Sequence, residues 1–187
     1  MTDRAVKSGL ALEAQRKVHG KYDSILAGQL LQWIAHLTAK DFSTEGEVKN
    51  FLEVLKDGTV LCNLANALSA GSVRKMNNSS MAFKQMENIS FFLSFAEKYI
   101  AKSELFQTVD LFEGQDPNAV VICLSSLARK AEELFGKPGL GPKEAKGEKR
   151  EWSEEKLRAG ETIIGLQMGT NKGANASGIN MGNTRHM

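Results

Sequence analysis

Cysteine and proline are scarce in this chain of 187 residues: it has two Cys and three Pro. Two thiols, Cys62 and Cys123, cannot build a disulfide framework or a four-thiolate zinc site. Both fall in apolar helical patterns, which points to buried, reduced thiols. No run approaches the ~18–20 consecutive apolar residues that span a membrane. The opening Met1-Thr2-Asp3-Arg4 lacks the apolar core of a secretory leader. His19, His36 and His186 have no sequence neighbours in the pattern of a catalytic triad or a metal set. Gly139-Leu140-Gly141-Pro142-Lys143 lacks the spacing and the Ser/Thr of a phosphate loop. A basic patch interleaved with aromatics, the footprint of nucleic-acid binding, is also missing. These absences set the expectation of a soluble cytosolic protein without catalysis, metal or cofactor, contacting neither nucleic acid nor membrane.

What is present is unevenly spread. The net charge of +2 conceals +3 over residues 1–21, −4 over 22–136 and +3 over 137–187. An acidic body therefore carries two basic ends, a pattern that serves solubility or attracts a polyanionic partner. Ten of the 17 Gly lie at or after Gly136, and all three Pro lie late, at Pro117, Pro138 and Pro142. The run from Gly136 to Pro142 cannot continue a helix and marks a domain boundary.

Between residues 21 and 135 the apolar residues recur at helical spacing. Ile25, Leu26, Leu30, Trp33, Ile34 and Leu37 form one stripe. Val48, Phe51, Leu52 and Leu55 form a shorter one, and Asp57-Gly58 signals a turn. Val60, Leu61, Leu64, Ala65 and Leu68 follow, then Met86, Ile89, Phe92, Leu93, Ala96 and Ile100. Asp116 is suited to N-cap and Pro117 to the first position of a last long helix. Its stripe is Val120, Val121, Leu124, Leu127, Ala128, Ala131 and Leu134. The expectation is an all-α body with four main helices plus short connecting helices. Trp33 reads as a core anchor, and Asn63, Asn66 and Asn88 as amides that satisfy buried backbone between helices. Val6, Leu10, Leu12 and Val18 suggest a short helix within an N-terminal extension, residues 1–20.

Behind the boundary, Lys143, Lys146, Lys149 and Arg150 make a basic stretch. Ser153 then caps a short helix reaching about Ala159, with Trp152 and Leu157 at the spacing of a hydrophobic staple. Residues 136–162 are thus a basic linker with a short helix. Residues 163–187 place Gly165, Gly169, Gly173 and Gly178 in a segment too poor in large apolar residues for its own core. Such a tail is flexible alone and orders on a partner.

Four blocks in order resemble a calponin-homology domain: Leu30-Leu31-Gln32-Trp33-Ile34, the segment Asp57 to Asn66, Phe83 to Ile89, and Phe106 to Glu113 with Asp116-Pro117-Asn118. Residues 165–178, Gly-Leu-Gln-Met-Gly-Thr-Asn-Lys-Gly-Ala-Asn-Ala-Ser-Gly, closely resemble the calponin-like repeat. Together they resemble the transgelin type of the calponin family. One departure is Met181 before Gly182, where family repeats carry an aromatic residue.

The resemblance implies a monomeric protein of muscle or cortical cytoskeleton that binds filamentous actin and is able to cross-link it. Carried over by position, Lys149 and Arg150 are the first candidates for actin contact, assisted by Lys143 and Lys146. In the repeat the candidates are Leu166, Gln167, Met168, Asn171 and Lys172. Thr170, Ser177 and Thr184 are hydroxyls where phosphorylation would weaken that contact by adding about −1.5 to −2 charges. The alternative is an adaptor whose calponin-homology domain binds another cytoskeletal or signalling protein.

Overall fold

In the computed structural model, residues 8–143 and 152–161 are described. The chain divides into two units, Met1–Glu144 and Ala145–Met187. The first holds α1 (Gly9–His19), α2 (Ser24–Thr38), α3 (Val48–Leu55), α4 (Thr59–Leu68), α5 (Ala82–Ala96), a 3-10 turn (Lys102–Glu104), α6 (Thr108–Phe112) and α7 (Pro117–Phe135). The second holds α8 (Glu154–Glu161). Among the described residues there is no strand, and no helix is long and apolar enough to cross a membrane.

Local chemistry sets the helix ends. The Asp23 carboxylate accepts from the N–H groups of Ile25 and Leu26 at 2.9 and 3.1 Å, satisfying two first-turn donors of α2. Asp116 does the same for Ala119 of α7 at 3.1 Å, with Pro117 in the first turn. At α6, Gln107 and Asp110 cap each other's backbone reciprocally.

The apolar stripes meet in one core. Leu30, Leu31 and Ile34 of α2, Leu61 and Leu64 of α4, Ile89 and Phe92 of α5, and Leu124 and Leu127 of α7 are fully buried. Each such side chain contributes about 1.5–3 kcal/mol over its exposed state. Cys62 and Cys123 are buried and free.

Two expectations fail at helix ends. Ile25 is 75 % exposed and Leu134 is 46 % exposed. Ile25 lies in the first turn of α2 and Leu134 in the last turn of α7, where the periodic stripe outlasts the neighbours that cover it. α1 matches the described part of the expected short N-terminal helix, with Leu10 85 % exposed and Val6 outside the described residues. α8 runs through Gly160 to Glu161 instead of stopping at Ala159. One glycine weakens a helix by ~1 kcal/mol against Ala without ending it.

The Asp57-Gly58 turn is more than a bend. Asp57 accepts from the Thr59 N–H and hydroxyl, both at 2.9 Å. Gly58 has φ +71°, and a Cβ there would lie 2.7 Å from Asn88 Cβ and 2.8 Å from the Ile89 nitrogen. Glycine thus permits both the left-handed backbone and the close approach of α5.

Candidate functional site

Lys143 is the single expected contact residue that falls within the described residues. Lys146, Lys149, Arg150, Leu166, Gln167, Met168, Asn171 and Lys172 lie outside them, as do Thr170, Ser177 and Thr184.

The approach to Lys143 is built on the helical body. Gly136 ends α7 in the left-handed region, φ 61°, and its N–H and that of Lys137 bond to Glu132 and Ala131 carbonyls. The following Pro/Gly run then stays against the body. Trp33, 7 % exposed on α2, donates its indole N–H to the Pro138 carbonyl at 2.7 Å. Leu140 donates its N–H to the Ala128 carbonyl at 3.2 Å and packs on the core. Gly139 passes so close that a Cβ would lie 2.7 Å from that same carbonyl. Trp33 is therefore a core anchor whose polar edge also fixes the start of the expected linker.

Lys143 Nζ reaches Glu132 Oε1 at 2.8 Å, with both side chains largely exposed. The hydrogen bond to Glu132, and then its charge, raise the lysine pKa above its ordinary value. An exposed pair of this kind adds little stability and exchanges readily for another anion. In the second unit, Lys156 Nζ sits 6.0 Å from the centre of the exposed Trp152 ring. Leu157, the other half of the expected staple, has no described side chain.

The motif amides of the body serve the fold. Asn88, fully buried, donates to the Asp57 and Asn77 carbonyls at 2.9 Å each and accepts from the Asn77 N–H at 2.9 Å. Asn66 holds Val73 in the same two-handed way, donating to its carbonyl at 3.0 Å and accepting from its N–H at 2.9 Å. Asn63 differs from expectation: it bonds back to the Thr59 carbonyl of its own helix at 2.7 Å.

The thiols offer no nucleophile at neutral pH. Burial pushes Cys62 up to about 11, helped by the Asp57 charge, and pushes Cys123 up to about 12. Among the described residues no cluster of three His, Cys, Asp or Glu could hold a metal ion.

One surface escaped the sequence reading. Arg74 and Lys75, in the α4–α5 connection, join Lys98, just beyond α5, around a groove of about 310 Å³ over Phe91 and Phe95. No periodicity reveals it, because its cations come from an irregular segment and from a position 23 residues further on. The helical spacing of Phe91, Phe95 and Lys98 was the available signal.

Comparison with known proteins agrees with this architecture. Residues 25–133 match the calponin homology (CH) domain, and residues 164–187 match the calponin family repeat. The chain is 43 % identical over 182 residues to Myophilin of Echinococcus granulosus, covering 95 % of this chain and 94 % of that one. In fold it resembles the calponin-homology domain of an IQGAP protein from Schizosaccharomyces pombe. That match has a TM-score of 0.54 at 22 % identity, over 77 % of this chain and 89 % of the other.

Proposed function

Because the chain belongs to the transgelin/calponin family, with a calponin-homology domain followed by a calponin family repeat, we propose that it is an actin-filament-binding, non-catalytic protein of the cytoplasmic cytoskeleton. The observation that carries this reading is the repeat at residues 164–187. Family resemblance credits that repeat and the basic stretch before it with filament contact. Lys149 and Arg150 lead this contact, with Lys143 and Lys146 assisting. Leu166, Gln167, Met168, Asn171 and Lys172 supply the repeat's side. The division of labour follows the proposed domains: an extension to residue 20, a helical body to 135, a basic linker to 162 and the repeat to 187. Exposed charge pairs contribute only about 0.2–1 kcal/mol each, so binding is modest and falls with salt. Cross-linking requires a second attachment surface on the same monomer.

The test is co-sedimentation with actin filaments at low and moderate salt. It compares the full chain, its Lys149→Ala/Arg150→Ala variant and a chain ending at Glu144. Salt-sensitive pelleting of the full chain alone supports the tail as the site. Equal pelleting of all three assigns the contact to the helical body. If none pellets, the adaptor reading replaces the filament reading.

A further inference from the structure

We propose that the groove between the α4–α5 connection and α5 docks an acidic peptide segment of a partner protein, one that sets an apolar side chain among carboxylates. This goes beyond the filament reading, since it concerns the helical body and requires no actin.

Three observations carry it. The first is charge. Arg74, Lys75 and Lys98 line the groove, and no carboxylate does. Of the neighbouring acids, Glu87 accepts from Lys84 and Asn77, both at 2.8 Å, and also feels the Lys75 charge at longer range, while Glu97 pairs with Lys102 at 3.0 Å. Among the described ion pairs none uses the three groove cations. They stand on a body whose residues 22–136 total −4. A cation at the end of α5 is favoured by the helix dipole, which accounts for Lys98 but not for Arg74 or Lys75.

The second is preorganisation. Val73 is clamped by Asn66 and Asn77 by Asn88, each through a donor and an acceptor. Arg74 and Lys75 therefore sit on a short span fixed at both ends. The backbone under them loses little freedom when a ligand binds.

The third is the lining. Ser72 donates its hydroxyl proton to the Ser69 carbonyl at 2.8 Å, and Ser94 donates to the Ser90 carbonyl at 2.9 Å. Neither hydroxyl proton is left to ring a phosphate. What remains beside the cations is apolar: Val73, the half-buried Phe91 and the buried Phe95. Carboxylates beside an aliphatic or aromatic side chain match that combination better than an isolated phosphate.

The test is fluorescence anisotropy on the full chain. The probe is a short, end-blocked fluorescein peptide alternating glutamate with leucine, at low salt. Saturable binding is expected. It should weaken about tenfold when Arg74, Lys75 and Lys98 are all changed to Ala, the scale of three exposed charge contacts. Because the three side chains are exposed, the variant should keep the wild-type melting curve. A peptide with serine replacing leucine should also bind more weakly, which reads the Phe91 contact without altering the protein. The Lys149→Ala/Arg150→Ala variant should bind the probe as the wild type does. The proposal is overturned if the wild type shows no saturable binding, or if the groove variant binds equally well. Loss of binding in the tail variant alone also overturns it, placing the contact in the tail. Groove-dependent binding of inorganic phosphate or phosphatidylserine vesicles, without the peptide, overturns it in favour of a phosphate site.

Discussion

Removing the tail by cutting after Gly136 should damage the helical body, whereas cutting after Glu144 should not. The reason is the Trp33 indole N–H, held 2.7 Å from the Pro138 carbonyl on a residue only 7 % exposed. A chain ending at Gly136 lacks that acceptor and uncovers the indole edge to water. The net worth of such a hydrogen bond, about 0.5–1.5 kcal/mol, is lost. Loss of the Leu140 packing adds about 1 kcal/mol. The total of about 1.5–2.5 kcal/mol corresponds to a melting point about 5–9 °C lower for a body of this size. The assay is thermal unfolding followed by circular dichroism and by tryptophan emission. In both shortened chains Trp33 is the one tryptophan left, since Trp152 is removed. The logic closes with Trp33→Phe, which deletes the donor. In that background the cut at Gly136 should cost about 0.5–1.5 kcal/mol less, a coupling that a double-mutant cycle measures. Equal melting of the two shortened chains would refute the reasoning. So would an unchanged penalty in the Trp33→Phe background.

Asn88→Ala should destabilise the body by about 3 kcal/mol in urea unfolding, because it strands the Asp57 and Asn77 carbonyls and the Asn77 N–H. The two thiols should resist Ellman's reagent until the protein unfolds. Their pKa values, raised to about 11 and about 12 in the fold, also set a pH dependence. Above about pH 8.5 the unfolded thiols lose protons that the folded ones keep, so stability should fall as pH rises toward 11, as pH-dependent urea midpoints would show. Glu at Thr170, Ser177 or Thr184 should lower the fraction of full chain that pellets with actin filaments. Unchanged pelleting in all three would remove them as a switch.

Periodicity disclosed which face of the main helices is covered, and cap chemistry disclosed where α7 begins. Both signals are local, written in residues three or four apart. They overreached at Ile25 and Leu134, because a stripe does not show how far its partner helix extends. They could not show that Trp33 would meet Pro138, 105 residues away. The same limit hid the basic groove, whose cations converge only once α5 folds back along its own connection. Asn66 and Asn88 were legible as amides that satisfy backbone groups, but their targets Val73 and Asn77 were not, since those residues carry no sequence signal of their own. The repeat was legible in another manner, from sequence pattern alone.

The paired asparagines divide the α4–α5 connection into parts with different tolerance for change. The 13 residues from Ser69 to Met81 look like one loop. Asn66 and Asn88 pin it at Val73 and Asn77, leaving short arcs on either side and a middle span of three residues. Lengthening an arc outside the two clamps adds little closure entropy. An added residue in the Ser69–Ser72 arc costs only that arc's own turn, in which the Ser72 N–H and hydroxyl bond the Ser69 carbonyl, with little effect on the rest. The same insertion between Val73 and Asn77 must either release a clamp or bulge outward, carrying Arg74 and Lys75 with it. Length variation across relatives would then accumulate in the outer arcs, while the middle span keeps its count.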